Sequence, residues 1–249
     1  MRRKSFFFSE QAFNRLELLV VVTAVAFLAL LALPAFAHTK TRSQRLLCLA
    51  NLRQAGHAYH TWGTDHGNQT PCRTAYSEGG NFGQAFGGRN KAWWQWAFLS
   101  NELVMPKVLI CPSDVGVGAE RRIASSWGMD STRGGYSSPG FRDRATSYTV
   151  ALDAFFDQPR SLLSWDRNVR PDGSNFSCSS GVGLAWFFAA GTSPPPVFSG
   201  GWTNALHGVE GNALFYDGSA EQLSNSGFLN GLRGLPTNDN GLVHFLSPL

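Results

Sequence analysis

Residues 16–37 read LELLVVVTAVAFLALLALPAFA, an apolar run interrupted only by Glu17 and Thr23. At about 1.5 Å of rise per residue, a helix of this length reaches roughly 33 Å, enough for the hydrocarbon core of a bilayer. A helix that is apolar all round must be covered by lipid, by other helices or by a core. Arg2, Arg3 and Lys4 precede the run, which favours a cytoplasmic N-terminus. Charged residues are only 15% of the chain, against a usual quarter, and the run explains part of that deficit.

Two ordinary readings fit the run. In the first it is a secretory signal peptide, because Ala35-Phe36-Ala37 has the small-x-small cleavage pattern and the leader is basic. In the second it is a plain anchor helix. Both leave Glu17 unexplained, since a carboxylate at the centre of a span costs roughly 2.5–3.5 kcal/mol and usually has a partner.

A third reading supplies the partner. Ala12-Phe13-Asn14-Arg15-Leu16-Glu17-Leu18-Leu19-Val20-Val21-Val22 resembles the N-terminus of type IV prepilins and type II secretion pseudopilins. That family has a small residue, usually Gly, then Phe-Thr-Leu-Ile-Glu-Leu-Leu-Val-Val. A prepilin peptidase cuts before the Phe and methylates the new amine. The resemblance implies cleavage between Ala12 and Phe13, N-methylation of Phe13, and an assembly role for Glu17, which would neutralise the amine of a neighbouring subunit. The freed amine is cationic near neutral pH, and a buried charge is tolerated when paired. Pro34 falls where many pilins carry a helix-kinking proline; otherwise it simply ends the span. Ala12 stands in place of Gly, and Asn14 and Arg15 in place of Thr and Leu.

Beyond a polar collar at residues 38–45, Leu46, Leu49, Leu52, Ala55, Tyr59 and Trp62 recur every three or four residues, one face of a helix. One bent helix over about 16–62 is predicted, stopped by Gly63 and the cluster Asp65-His66-Gly67-Asn68. Within it, Cys48-Leu49-Ala50-Asn51-Leu52-Arg53-Gln54-Ala55-Gly56 resembles a Cys-x-x-Asn-Leu-Arg-Gln-Ile-Gly string. That string belongs to pseudopilin-like proteins best known from planctomycetes and verrucomicrobia, whose C-terminal domain has no known function. Three further segments are similar to the same group: Cys111-Pro112-Ser113-Asp114, Ser147-Tyr148-Thr149-Val150, and the stretch from His207 to Ser219, which is closest from Asn212 onward.

The remainder is rich in Gly, Ser, Asn and Pro. Trp93-Trp94-Gln95-Trp96 reads as a short core helix or strand, or as a stacking platform for sugar. Val108-Leu109-Ile110 reads as a short buried strand and Ser147-Tyr148-Thr149-Val150 as another. Residues 213–216 and 219–223 form a hairpin around Asp217-Gly218. Residues 115–144 and 166–201 hold most of the irregular chain and are where a partner would bind.

Four cysteines, Cys48, Cys72, Cys111 and Cys178, allow one or two disulfides outside the cytoplasm, with three full pairings open, or they are idle thiols. A zinc set of His57, His60, His66 and Cys72 lacks paired-ligand spacing. His207, Glu210 and Asp217 are weak candidates for a divalent cation, because dense oxygen-ligand spacing is missing. No basic partner for a Cys111 nucleophile is evident, and no phosphate loop, HExxH or GxSxG is present. The net charge of +4 is scattered, which argues against nucleic acid.

The expected fold is α+β: a leader (1–12), a transmembrane helix (13–37), its amphipathic continuation (38–62) and a globular domain (63–249) with a small antiparallel sheet and long loops, as in pilins. The resemblance implies a structural subunit rather than an enzyme, without cofactor. It would sit as a single-pass inner-membrane protein with its C-terminal domain periplasmic. Its partners would be prepilin peptidase, other pseudopilin subunits and membrane lipid. The alternative is a secreted or tethered binding protein, with carbohydrate as the ligand class, cleaved after Ala37.

Overall fold

The computed structural model describes residues 14–82, 91–114, 116, 120–154, 158–171, 176–178, 183–189, 200–235 and 242–248, of which 32–38, 171, 176–178, 183–189 and 242 are described in backbone only. The expected cleavage pair, Ala12 and Phe13, lies outside these residues. The chain divides into two compact units, Met1–Ser43 and Gln44–Leu249. The fold is α+β, with helices and small antiparallel sheets.

Helix α1 covers Arg15–Asp65. Its start is a reciprocal cap: the Asn14 side-chain oxygen accepts the Leu16 N–H (3.4 Å), and the Glu17 carboxylate reaches back to the Asn14 N–H (3.0 Å). The large side chains from Leu16 to Leu31 are exposed on every side, between 50% and 69%. Thr23 donates its hydroxyl to the Val20 carbonyl, so it adds no free polar group to that surface. The backbone stays helical through Pro34, so this proline does not end the helix. The transmembrane helix expected over 13–37 is not found as such. Among the described residues, no helix is long and apolar enough to cross a membrane, and the side chains of 32–38 lie outside them.

In the second unit the buried stripe of α1 is Cys48, Leu52, Ala55, Tyr59 and Trp62, with Ala58 beside it. The steps are four, three, four and three, which keep to one face. Leu46, placed on that face by sequence, is 58% exposed; the stripe begins at Cys48, two residues later. Gly56 lets α1 come close to the sheet, since a Cβ there would lie 2.8 Å from a Leu214 methyl and 3.2 Å from the Gly218 backbone. The helix stops where Gly67 and Asn68 both turn left-handed and Asn68 N–H returns to the Gly63 carbonyl.

Helices α2 (Ala92–Phe98) and α3 (Ser100–Leu103) follow. The tryptophan cluster is a core element: Trp93 and Trp96 are buried, Trp96 edges onto Tyr59, and its ring N–H donates to the Tyr148 carbonyl. Trp93 and Trp96 are thus core rings, while Trp94 and Phe98 are half-buried at the edge of the cluster. The strand expected at residues 108–110 is instead the end of a 3₁₀ turn, Pro106–Leu109. Pro106 fixes the φ of its first residue and the Ile110 N–H closes on the Lys107 carbonyl.

Among the described residues nine strands follow: β1 (Val150–Ala151), β2 (Leu162–Trp165), β3 (Val169–Pro171), β4 (Phe176–Cys178), β5 (Gly183–Ala189), β6 (Gly200–Trp202), β7 (Glu210–Phe215), β8 (Ala220–Ser224) and β9 (Leu242–Leu246), with α4 (Asn225–Leu232) before the last. They form antiparallel sheets in the orders β1-β9-β5-β4, β2-β7-β8 and β3-β6. Residues 166–201, read from sequence as mostly irregular, thus contribute four strands. The β7–β8 hairpin forms around Asp217-Gly218 as expected; Gly218 is left-handed, and Asp217 accepts the N–H and hydroxyl of Ser219. Trp165, fully buried, packs against Phe228 of α4 and Phe245 of β9 and so joins the two larger sheets.

Candidate functional site

Three segments far apart in sequence meet in the second unit. Helix α1 carries Arg45 and, one turn on, Cys48. The turn after Pro106–Leu109 carries Cys111 and Asp114. The loop before β7 and the strand itself carry His207, Glu210 and Asn212. Asp166 and Arg167, just past β2, complete the group.

Cys48 and Cys111 are joined in a disulfide across a sequence separation of 63. Cys72 is a free thiol against the Thr70 hydroxyl, and the side chain of Cys178 lies outside the described residues. The Cys111 sulfur lies 3.3 Å from His207 Nε2, and Asp166 Oδ2 lies 3.5 Å from the same nitrogen. Cys111 therefore has a basic neighbour after all, brought from 96 residues away. With its sulfur in a disulfide it is not a nucleophile, and both acid and sulfur face one ring nitrogen rather than opposite ones, unlike a catalytic triad.

The electrostatics follow from burial. Asp166 is fully buried; loss of water pushes its carboxyl up to about 7, against the lowering effect of the Asn212 backbone and side-chain N–H groups on Oδ2. His207 is pushed down to about 4, first by burial and then by the Arg45 guanidinium. It is neutral at pH 7, with a lone pair available to a hydrogen or a metal. Arg45 donates to the His207 carbonyl (2.7 Å) and pairs with Glu210 (3.1 Å), tying the first turns of this part of α1 to the start of β7.

Asp114 organises the other side. Its carboxylate, with no exposed surface, takes two hydrogen bonds from Arg167 (2.6 and 2.7 Å), one from the Ser147 hydroxyl (2.8 Å) and one from the Gly116 N–H (2.9 Å). Arg121 adds a second cation at 3.3 Å. Burial pushes the Asp114 carboxyl up, but the Arg167 hydrogen bonds, the two guanidinium charges and Ser147 outweigh it and hold it below the usual carboxylate value.

The cation set expected from sequence does not converge. His207 joins Cys111 and Asp166, Glu210 is engaged by Arg45, and Asp217 caps its own turn. Glu210 opens β7 and Asp217 lies in the turn past its other end, so the length of the strand, roughly 17 Å at about 3.3 Å per residue, stands between them. Likewise His66 stacks on Trp62 and contacts its carbonyl, and Cys72 contacts Thr70. Among the described residues, the one group of three His, Cys, Asp or Glu side chains close enough to share an ion is Cys48, Cys111 and His207, with donor atoms within 4.8 Å of one another. Asp166 and Arg167 had no sequence signal. Arg45 stood in the polar collar, and Cys48, Cys111, Asp114, His207, Glu210 and Asn212 lay in three segments already marked by resemblance to a single family, whose joint occurrence was the available clue that they meet. No protein-family profile, curated protein or solved structure matches the chain.

Proposed function

We propose that the chain is a pseudopilin-like structural subunit of a type II secretion or type IV pilus-like assembly. Prepilin peptidase cuts it between Ala12 and Phe13, and its N-terminal helix holds it in the inner membrane with the globular part in the periplasm. The observation that carries this reading is the start of α1: an uncovered surface, apolar on every side from Leu16 to Leu31, with the carboxylate of Glu17 at its first turn. Such a surface asks for lipid or partner helices. In sequence the apolar run continues to Ala37. The Cys48–Cys111 disulfide supports an oxidising compartment. The alternative of a carbohydrate-binding protein has two of its three tryptophans, Trp93 and Trp96, in the core, and no observation favours it.

Glu17 has a competing duty, because its carboxylate caps its own helix through the Asn14 N–H. A glutamine can make that capping bond without the charge, so the two roles separate. Glu17→Gln is expected to remain in the membrane fraction and to disappear from the assembled, surface-sheared fraction, as measured by immunoblot of cells expressing the full chain. Glu17→Ala should lose assembly as well and also fray the helix start. Wild-type assembly by Glu17→Gln would rule out charge pairing.

A further inference from the structure

We propose that Cys48, Cys111, His207 and Asp166 form a zinc site when the Cys48–Cys111 disulfide is reduced. The inference is independent of the assembly role above. A zinc ion bound tetrahedrally by two thiolates, an imidazole and a carboxylate has bond lengths of about 2.0–2.3 Å, so its donor atoms stand roughly 3.3–3.8 Å apart. Two of those edges already exist: Cys111 Sγ to His207 Nε2 at 3.3 Å and His207 Nε2 to Asp166 Oδ2 at 3.5 Å. The Cys48 sulfur completes a trio of donors within 4.8 Å. All four residues are buried.

A second observation points to a missing ligand. Asp166 Oδ1 has no hydrogen-bond partner although the side chain is fully buried, which is costly for a carboxylate oxygen unless a cation or proton faces it. Its other oxygen is fixed by the Asn212 backbone and side-chain N–H groups, so the carboxylate is already oriented toward the histidine. Two thiolates, one carboxylate and Zn²⁺ sum to minus one, and the Arg45 guanidinium, shared between the His207 carbonyl and Glu210, lies close enough to offset part of it.

The chemistry is a thiol–disulfide exchange followed by metal binding. A dithiol donates two electrons and two protons to the disulfide; the S–S bond breaks, two cysteine thiols form, and the dithiol closes to its own cyclic disulfide. Zn²⁺ then displaces both thiol protons to solvent. The same tie between α1 and the Cys111 turn is held by a covalent bond under oxidising conditions and by a metal under reducing ones.

The test uses the full chain in detergent, reduced with dithiothreitol, desalted under argon and titrated with Zn²⁺, with Co²⁺ as the optical probe. The expected result is one equivalent bound, with cobalt giving the sulfur charge-transfer band and strong visible bands of tetrahedral thiolate coordination. Cys111→Ser and His207→Gln should lose these bands; Cys72→Ser and Cys178→Ser should keep them. If reduction unfolds the chain, zinc should restore its near-ultraviolet circular dichroism. No binding after reduction, unchanged bands in His207→Gln, loss in Cys72→Ser, or no zinc-dependent recovery of a reduced, unfolded chain would each overturn the proposal.

Discussion

Asp114→Asn is expected to destabilise the globular unit by about 3–5 kcal/mol, the usual cost of removing one partner from a buried ion pair. The substitution preserves shape and removes only the charge. It leaves the Arg167 and Arg121 side chains, 9% and 7% exposed, as buried cations without their counter-ion. It also turns one acceptor into a donor against Arg167 or Ser147. The effect should depend on pH in a defined sense. The Asp114 carboxyl is held below its ordinary value in the folded protein, so its stabilisation is fully present above the unfolded value and is lost as pH falls through the folded one. The gap between wild type and Asp114→Asn, read from urea midpoints, should therefore be constant at neutral pH and close in strong acid. Asp130→Asn, which removes an exposed pairing with Arg133, should leave the midpoint where it was.

Cys48→Ser/Cys111→Ser is the second large effect. A cross-link spanning 63 residues restricts the unfolded chain by about 4 kcal/mol in the loop-entropy estimate. For a unit of roughly 200 residues, that lowers the melting temperature by about 8–16 °C. Location adds to the consequence, because the bond joins the buried stripe of α1 to the turn that presents Asp114. Its loss weakens both the helix packing and the ion-pair cluster, so this variant and Asp114→Asn should not be additive. Cys72→Ser, which touches no disulfide, should move the midpoint far less. Equal midpoints for oxidised wild type and the double serine variant would mean that the cross-link carries no stability.

Features set by local pattern were legible in the sequence. The 3.6-residue period marked α1, and Gly63 with the Asp65-His66-Gly67-Asn68 cluster set its end at about residue 62; the helix runs through Gly63 and ends at Asp65, three residues on. Asp217-Gly218 marked the hairpin. Elements defined by partners were not. Strand β9 is a short apolar segment near the C-terminus, and it becomes a strand because β5 and β1 pair with it across more than fifty residues. Residues 108–110 look like a strand by composition, yet Pro106 starts a tight turn instead. The buried cluster was half legible: Cys48, Cys111 and His207 each stood in a marked segment, but a thiol's basic neighbour was sought nearby in sequence, and His207 comes from 96 residues away. Asp114 looked like an ordinary turn residue, since nothing local announces that two arginines converge on it. The capping bond of Glu17, beside the charge pairing proposed for it, became visible only once Asn14 was seen to precede the first turn.

The central claim, that α1 begins as a processed pseudopilin helix, is tested most directly by mass spectrometry of the N-terminus of the mature protein recovered from membranes. The account predicts a chain beginning at Phe13 and carrying an N-methyl group. A chain beginning at His38 would contradict it and return the apolar run to the role of a cleaved signal peptide.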